Sequence, residues 1–143
     1  MTRVRTVHEV AFRLSFDMRS LMAGKICDFG VDLTPLKMRM MRMIWSANEV
    51  TAHDITQVLK RDKAQVARTI EDLVAQKLVR RETNPSDRRS KLLRLTEQGE
   101  KIFKTVEDVE QTFSSDLVRG IKKSDLDTFY KVSDMITNNL KSI

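Results

Sequence analysis

The sequence predicts a mainly α fold with one small β-hairpin, and three observations carry that expectation. Helix breakers are scarce: prolines stand only at Pro35 and Pro85, and glycines only at Gly24, Gly30, Gly99 and Gly120. Apolar residues recur at helical spacing through most of the chain. That spacing gives way once, between Leu78 and Thr96, to two short strand-like runs around a polar tip.

Each element has a local reason. From about Val7 to Phe29, the residues Val7, Val10, Ala11, Leu14, Met18, Leu21 and Met22 keep helical spacing, and Gly30 follows the expected end. Thr34 reads as an N-cap and Pro35 as a first helical residue with its φ preset, opening a second helix to about Ser46. Thr51, with Asp54 three residues on, forms a weak capping box for a short third helix to about Lys60. A tight connection at Arg61 and Asp62 leads into a fourth helix, from about Lys63 to Gln76. The runs 78–83 and 91–96 flank Asn84, Pro85, Ser86, Asp87, Arg88, Arg89 and Ser90, a hairpin with a polar, basic tip. Thr96 is placed to cap a long fifth helix carrying Ile102, Phe103, Val106, Val109, Phe113 and Leu117. Ser124 is placed to cap a sixth with Leu126, Phe129, Val132, Met135, Ile136 and Leu140.

At 143 residues and 41% hydrophobic, the chain reads as a single domain, 1–143. The net charge is +6, but it is uneven: residues 50–95 carry 11 basic and 6 acidic side chains, whereas residues 96–143 carry 7 and 9. A localised basic surface of this kind points to a polyanionic partner. Cys27 stands alone, which excludes an intrachain disulfide and suits a cytoplasmic location. The basic start, Met1 to Arg5, is followed by His8, Glu9, Arg13, Asp17 and Arg19, which break any signal-peptide core. No apolar run approaches the roughly eighteen residues of a membrane span, so no membrane partner is expected.

Two short helices, a tight turn and a two-stranded hairpin are the parts of a winged helix-turn-helix, here residues 34–96, whose second helix enters the DNA major groove. On the fourth helix Val66, Ile70, Leu73 and Val74 cluster on one side, leaving Ala64, Gln65, Arg68 and Asp72 opposite. Ala64 and Ala67 allow close approach, while Gln65 can pair with adenine and Arg68 with guanine. The alternative is that Arg68 merely pairs with Glu71 and Asp72 on its own helix. At the hairpin tip Arg88 and Arg89 suit a narrow minor groove, with Asp87 placed to hold one arginine extended. Lys60, Lys63 and Lys91 are placed for phosphate contacts that set register rather than sequence preference. A solvated basic loop is the alternative for the tip.

The stretch Arg68 to Val74, the run Lys77 to Arg81, the segment Asn84 to Arg89 and the segment Leu93 to Gly99 resemble the MarR family of bacterial transcription regulators. An arginine in the recognition helix, an Asp-Arg-Arg wing and a Leu-Thr-x-x-Gly lead into a long helix follow that family's order. The resemblance implies a homodimer whose first, fifth and sixth helices intertwine, with residues 1–30 and 97–143 as the dimerisation region. It also implies a pseudopalindromic double-stranded DNA operator. Carried over by position, Arg68 matches a recognition-helix contact, Asp87 the wing aspartate and Arg89 the arginine that enters the minor groove; the DNA-binding candidates of that helix are Lys63, Ala64, Gln65, Arg68 and Thr69. One departure is visible: Lys77 stands where the family commonly has glycine.

The termini support a dimer separately, because three amphipathic segments add more apolar surface than so small a domain leaves exposed. No catalytic constellation stands out. His8 and His53 are far apart, neither has metal-ligand spacing, and there is no glycine-rich phosphate loop, so neither an enzyme, a metal nor a cofactor is expected. Cys27 is a candidate redox thiol, with a buried small hydrophobe near a helix end the preferred reading. The methionine-rich run from Met38 to Trp45 is a candidate lining for an adaptable small-molecule effector pocket, through Met38, Met41 and Trp45, with core packing as the default. The expected function is a dimeric, sequence-specific transcription regulator, more often a repressor in such families and open to release by a small molecule. The rival readings are a winged-helix protein-interaction module and, more distantly, a basic membrane-surface protein.

Overall fold

Six helices and one hairpin make up the computed structural model, which describes residues 5–143: α1 (Val7–Cys27), α2 (Pro35–Ser46), α3 (Ala52–Leu59), α4 (Lys63–Ala75), β1 (Val79–Thr83), β2 (Lys91–Leu95), α5 (Glu97–Leu117) and α6 (Lys123–Leu140). Residues 1–4, which include most of the basic start and the first part of the expected dimerisation region, lie outside the described residues.

Local chemistry sets most of the boundaries. Thr6 and Glu9 form a capping box at α1, and Gly30, at φ 67°, lies just past its end. The Thr34 hydroxyl accepts the Lys37 N–H at 3.3 Å ahead of Pro35. At α3 the box is complete: Asp54 accepts both the N–H and the hydroxyl of Thr51 at 2.8 Å, and the Thr51 hydroxyl accepts the Asp54 N–H at 3.3 Å. Those bonds from Thr51 hold the Asp54 carboxyl below the usual carboxylate range. Asp62 caps α4 by accepting the Gln65 N–H at 3.0 Å. Thr96 accepts the Gly99 N–H at 3.0 Å and donates to the Lys77 carbonyl at 2.6 Å, which fixes α5 against the turn before β1. Ser124 does not cap α6 as expected. The helix starts two residues earlier than such a cap would set, after an extended Lys122 whose side chain makes no capping bond.

The first of two compact units runs to Glu107 and contains the core. Met40, Met41 and Ile44 from α2, Ile55 from α3, Val66, Ile70 and Leu73 from α4, Leu78, Leu93 and Phe103 are all buried there. Strands β1 and β2 pair antiparallel from Val79 opposite Leu95 to Thr83 opposite Lys91. A bridge between Thr51 and Leu92, with the Leu93 N–H donating to the Val50 carbonyl at 2.9 Å, ties the hairpin to the start of α3. Helix-turn-helix and hairpin are therefore bonded to each other through their backbones. The second unit, Asp108–Ile143, holds the last part of α5 and all of α6. In it Phe129, Tyr130, Val132, Met135 and Leu140 are exposed. Among the described residues no helix is long and apolar enough to cross a membrane.

Candidate nucleic-acid interface

Helix α4 buries Val66, Ile70 and Leu73 and exposes Lys63, Ala64, Ala67 and Arg68, with Gln65 half-buried. The packing face is the one the helical projection gives, but two expectations fail: Thr69 as a DNA-contacting side chain and Asp72 on the groove side. Thr69 is buried, and its hydroxyl donates to the Gln65 carbonyl at 2.8 Å, so its side chain is turned back onto the helix. Asp72 does not join the groove side with Arg68: one of its carboxylate oxygens lies 3.9 Å from the buried ammonium of Lys37 on α2. Glu71 is also engaged, 2.6 Å from a guanidinium nitrogen of Arg81 on β1. Both carboxylates within helical reach of Arg68 thus face other cations. Among the described residues Arg68 makes no hydrogen bond or ion pair, and the expected alternative of an intrahelical pair is not formed.

The hairpin divides its cations in the same way. Arg80 donates to Glu82 at 3.0 and 2.8 Å, and Arg94 lies 3.5 Å from Glu82 while also donating to the Asn48 carbonyl. The hydrogen bonds from Arg80, followed by the nearby positive charge, hold the Glu82 carboxyl below its usual range. Arg88, Arg89 and Lys91 are exposed and, among the described residues, have no carboxylate partner. Asp87 does not hold an arginine side chain. Its carboxylate accepts the main-chain N–H of Arg89 at 2.9 Å, an Asx turn that shapes the loop and leaves both guanidinium groups in solvent.

Two organisers of this tip were missed in the sequence. Asn84, 8% exposed, donates to the Ser90 hydroxyl at 2.8 Å and accepts the Ser86 N–H at 3.0 Å. Ser90 in turn bonds the Asp87 carbonyl, through its N–H at 3.1 Å and its hydroxyl at 3.2 Å. The signal was there: Asn, Ser and Asp at turn positions bond their own backbone, a habit more specific than polarity. Arg81 was missed for another reason, since its partner lies on a different element. With Arg89, Lys91 and His53 it lines a recess of ≈ 240 Å³ between the start of α3, Ala67 of α4 and the hairpin. The structure thus brings α4 and the wing residues Arg89 and Lys91 to one concave basic surface. Arg68 and Arg88 do not line that recess.

The other candidate residues lie elsewhere. Met38 and Met41 are buried in the core and do not line the recess beside the hairpin. Trp45 is half-exposed, its ring centroid 5.9 Å from that of Phe103 and the Lys104 ammonium 4.8 Å above it. Cys27 is exposed, contrary to the preferred reading of a buried small hydrophobe, and its thiol donates to the Gly24 carbonyl at 3.1 Å.

Fold and site together define a winged helix-turn-helix protein with an extended basic face. Residues 31–90 match the sequence profile of the MarR family. A Bacillus subtilis protein described as an uncharacterized HTH-type transcriptional regulator, YdgJ, is 22% identical over 107 residues. That match covers 75% of this chain and 65% of the relative's length. Among solved structures, Staphylococcus aureus MepR in complex with DNA superposes with a TM-score of 0.79 at 18% identity, covering 94% of this chain and 96% of that one. A cysteine variant of Escherichia coli MarR with operator DNA gives 0.75 at 21% identity, covering 91% and 92%. The chain shares the winged-helix fold of these structures, and its similarity to the MarR family model lies within that fold, over residues 31–90.

Proposed function

We propose that the chain is a sequence-specific DNA-binding transcription regulator that acts as a homodimer on a pseudopalindromic operator. The observation that carries this reading is the freedom of Arg68: an exposed guanidinium on the second helix of the motif, with Glu71 and Asp72 both turned to other cations. A surface arginine kept for solubility gains from a nearby carboxylate, whereas one that reads a guanine must reach the groove unpaired. Arg88, Arg89 and Lys91 extend the unpaired positive surface to the wing, where minor-groove and phosphate contacts belong. Two similar proteins were solved with DNA, which supports the same partner.

The homodimer is supported by what a single chain leaves in water. On α1, Val7, Val10, Leu14 and Leu21 lie on one side and Phe12 and Phe16 on nearly the opposite one, all exposed. A helix apolar on two faces is built to be enclosed. Two recognition helices related by a twofold axis would lie about 34 Å apart, one turn of DNA. Blocking a promoter makes such a dimer a cytoplasmic repressor, and a small molecule with differential affinity for the free and DNA-bound forms would release it.

A genome-wide DNA selection with the purified protein, repeated with Arg68→Ala and Arg89→Ala, tests the reading. A pseudopalindrome should emerge, and Arg68→Ala should relax it at one base pair per half-site. Fragments recovered with no shared sequence would favour a protein-interaction module instead.

A further inference from the structure

The core of the first unit contains one lysine that base recognition does not explain. Lys37, in the first turn of α2, is 4% exposed. Its ammonium donates to the Asp32 carboxylate at 2.7 Å and to the Asp32 carbonyl at 3.2 Å, and lies 3.9 Å from the Asp72 carboxylate of α4. At the C-cap of α4, the Gln76 side chain clasps the backbone of Asp32, accepting its N–H at 3.0 Å and donating to its carbonyl at 3.3 Å. Asp72 on α4 thus faces Lys37 of α2, while Gln76 at the C-cap of the same helix is held by Asp32 in the connection before α2.

An apolar face alone would hold α4 loosely in rotation. Contacts of Val66, Ile70 and Leu73 are non-directional, so a small turn about the helix axis costs them little. A guanidinium carried about 6 Å from the axis nevertheless moves by about 1 Å for each 10° of rotation, enough to spoil a bidentate base contact. The amide hydrogen bonds between Gln76 and the Asp32 backbone are directional and resist that turn, and the 3.9 Å ion pair of Lys37 with Asp72 adds an electrostatic pull toward α2. We propose that Lys37 is a positioning residue for the recognition helix: with Asp32 it fixes Asp72 and Gln76, sets the rotation of α4, and so sharpens base discrimination without touching DNA. This rests on the DNA-reading function proposed above.

Lys37→Met tests it, because methionine preserves much of the buried stem while Asp32 and Asp72, with side chains 76% and 64% exposed, can return to water. Binding is measured for the wild type, Lys37→Met, Arg68→Ala and the double variant, on the selected operator and on a shuffled duplex. Salt is fixed, and the temperature is well below each protein's melting point. Lys37→Met should weaken operator binding about tenfold, consistent with losing part of a bidentate contact, and change shuffled-duplex binding by less than about twofold. The loss caused by Arg68→Ala should be smaller in the Lys37→Met background than in the wild type, which a purely stabilising role would not produce. Asp72→Asn, at an exposed carboxylate, should weaken operator binding in the same direction, and it carries the test if Lys37→Met fails to fold. The inference is overturned if the wild type discriminates the two duplexes and the folded variant does so equally well, or if the Arg68→Ala penalty is the same in both backgrounds. A wild type that binds both duplexes alike overturns the DNA reading along with it.

Discussion

Lys77 adopts φ 58°, a left-handed conformation that glycine reaches freely and that a Cβ opposes by roughly 1–2 kcal/mol. Its N–H donates to the Val74 carbonyl and that of Leu78 to the Leu73 carbonyl, the paired bonds that end a helix on a left-handed residue. Where the family commonly has glycine, this chain keeps the glycine geometry with a lysine. Lys77→Gly should therefore raise stability by about 0.5–1 kcal/mol, less than the full relief because glycine also enlarges the unfolded ensemble. A higher urea midpoint at unchanged slope is the readout. Gly99 answers in the opposite direction. A Cβ there would lie 2.0 Å from the Leu78 carbonyl oxygen, a backbone atom that cannot swing aside. Gly99→Ala should lower stability by about 2–3 kcal/mol even though alanine favours a helix, because overpacking outweighs the propensity gain. An unchanged melting temperature would refute the close approach.

Among the elements, those set by neighbours in sequence were legible and those set by neighbours in space were not. Thr34 before Pro35, the pair Thr51 and Asp54, and Thr96 before Gly99 cap the helices that the sequence assigns to them, because a cap bonds backbone within three residues. Periodicity likewise separated the packing side of α4 from Arg68. It could not show that Asp72 faces Lys37, that Glu71 faces Arg81, or that Asp87 bonds a main-chain N–H, since each depends on where another segment lies. Ser124 does not cap because the helix already begins at Lys123, soon after the turn that ends on Gly120 at φ 78°. The α3 box also makes a pH prediction. Its folded carboxyl is lowered by the Thr51 bonds, so the stabilisation is fully present above the unfolded value near pH 4 and is lost as pH falls through the lower folded value. The cost of Thr51→Ala, about 1 kcal/mol at neutral pH, should therefore shrink in acid. A cost that is constant from pH 7 to pH 3 would contradict it.

At the scale of the whole molecule, the apolar faces of α1 and α6 and the basic face of the winged helix belong to one account. In the proposed dimer, the exposed Phe129, Val132, Met135 and Leu140 on α6 are the apolar surface that the partner subunit would cover. Removing residues 122–143 should abolish dimerisation, and a truncated chain that still sediments as a dimer would show that the contact lies elsewhere. In the proposed function the dimer acts through geometry, because two Arg68 side chains would meet a palindrome only if the subunits fixed their spacing. The claim on which the rest depends is that Arg68 reads a base. Its most direct measurement compares wild type and Arg68→Ala on the selected operator and on a duplex with the contacted base pair changed in each half-site. The wild type should lose about 1–3 kcal/mol per changed contact, while Arg68→Ala should bind the two duplexes alike. If Arg68→Ala still distinguishes them as well as the wild type does, Arg68 does not read that base pair.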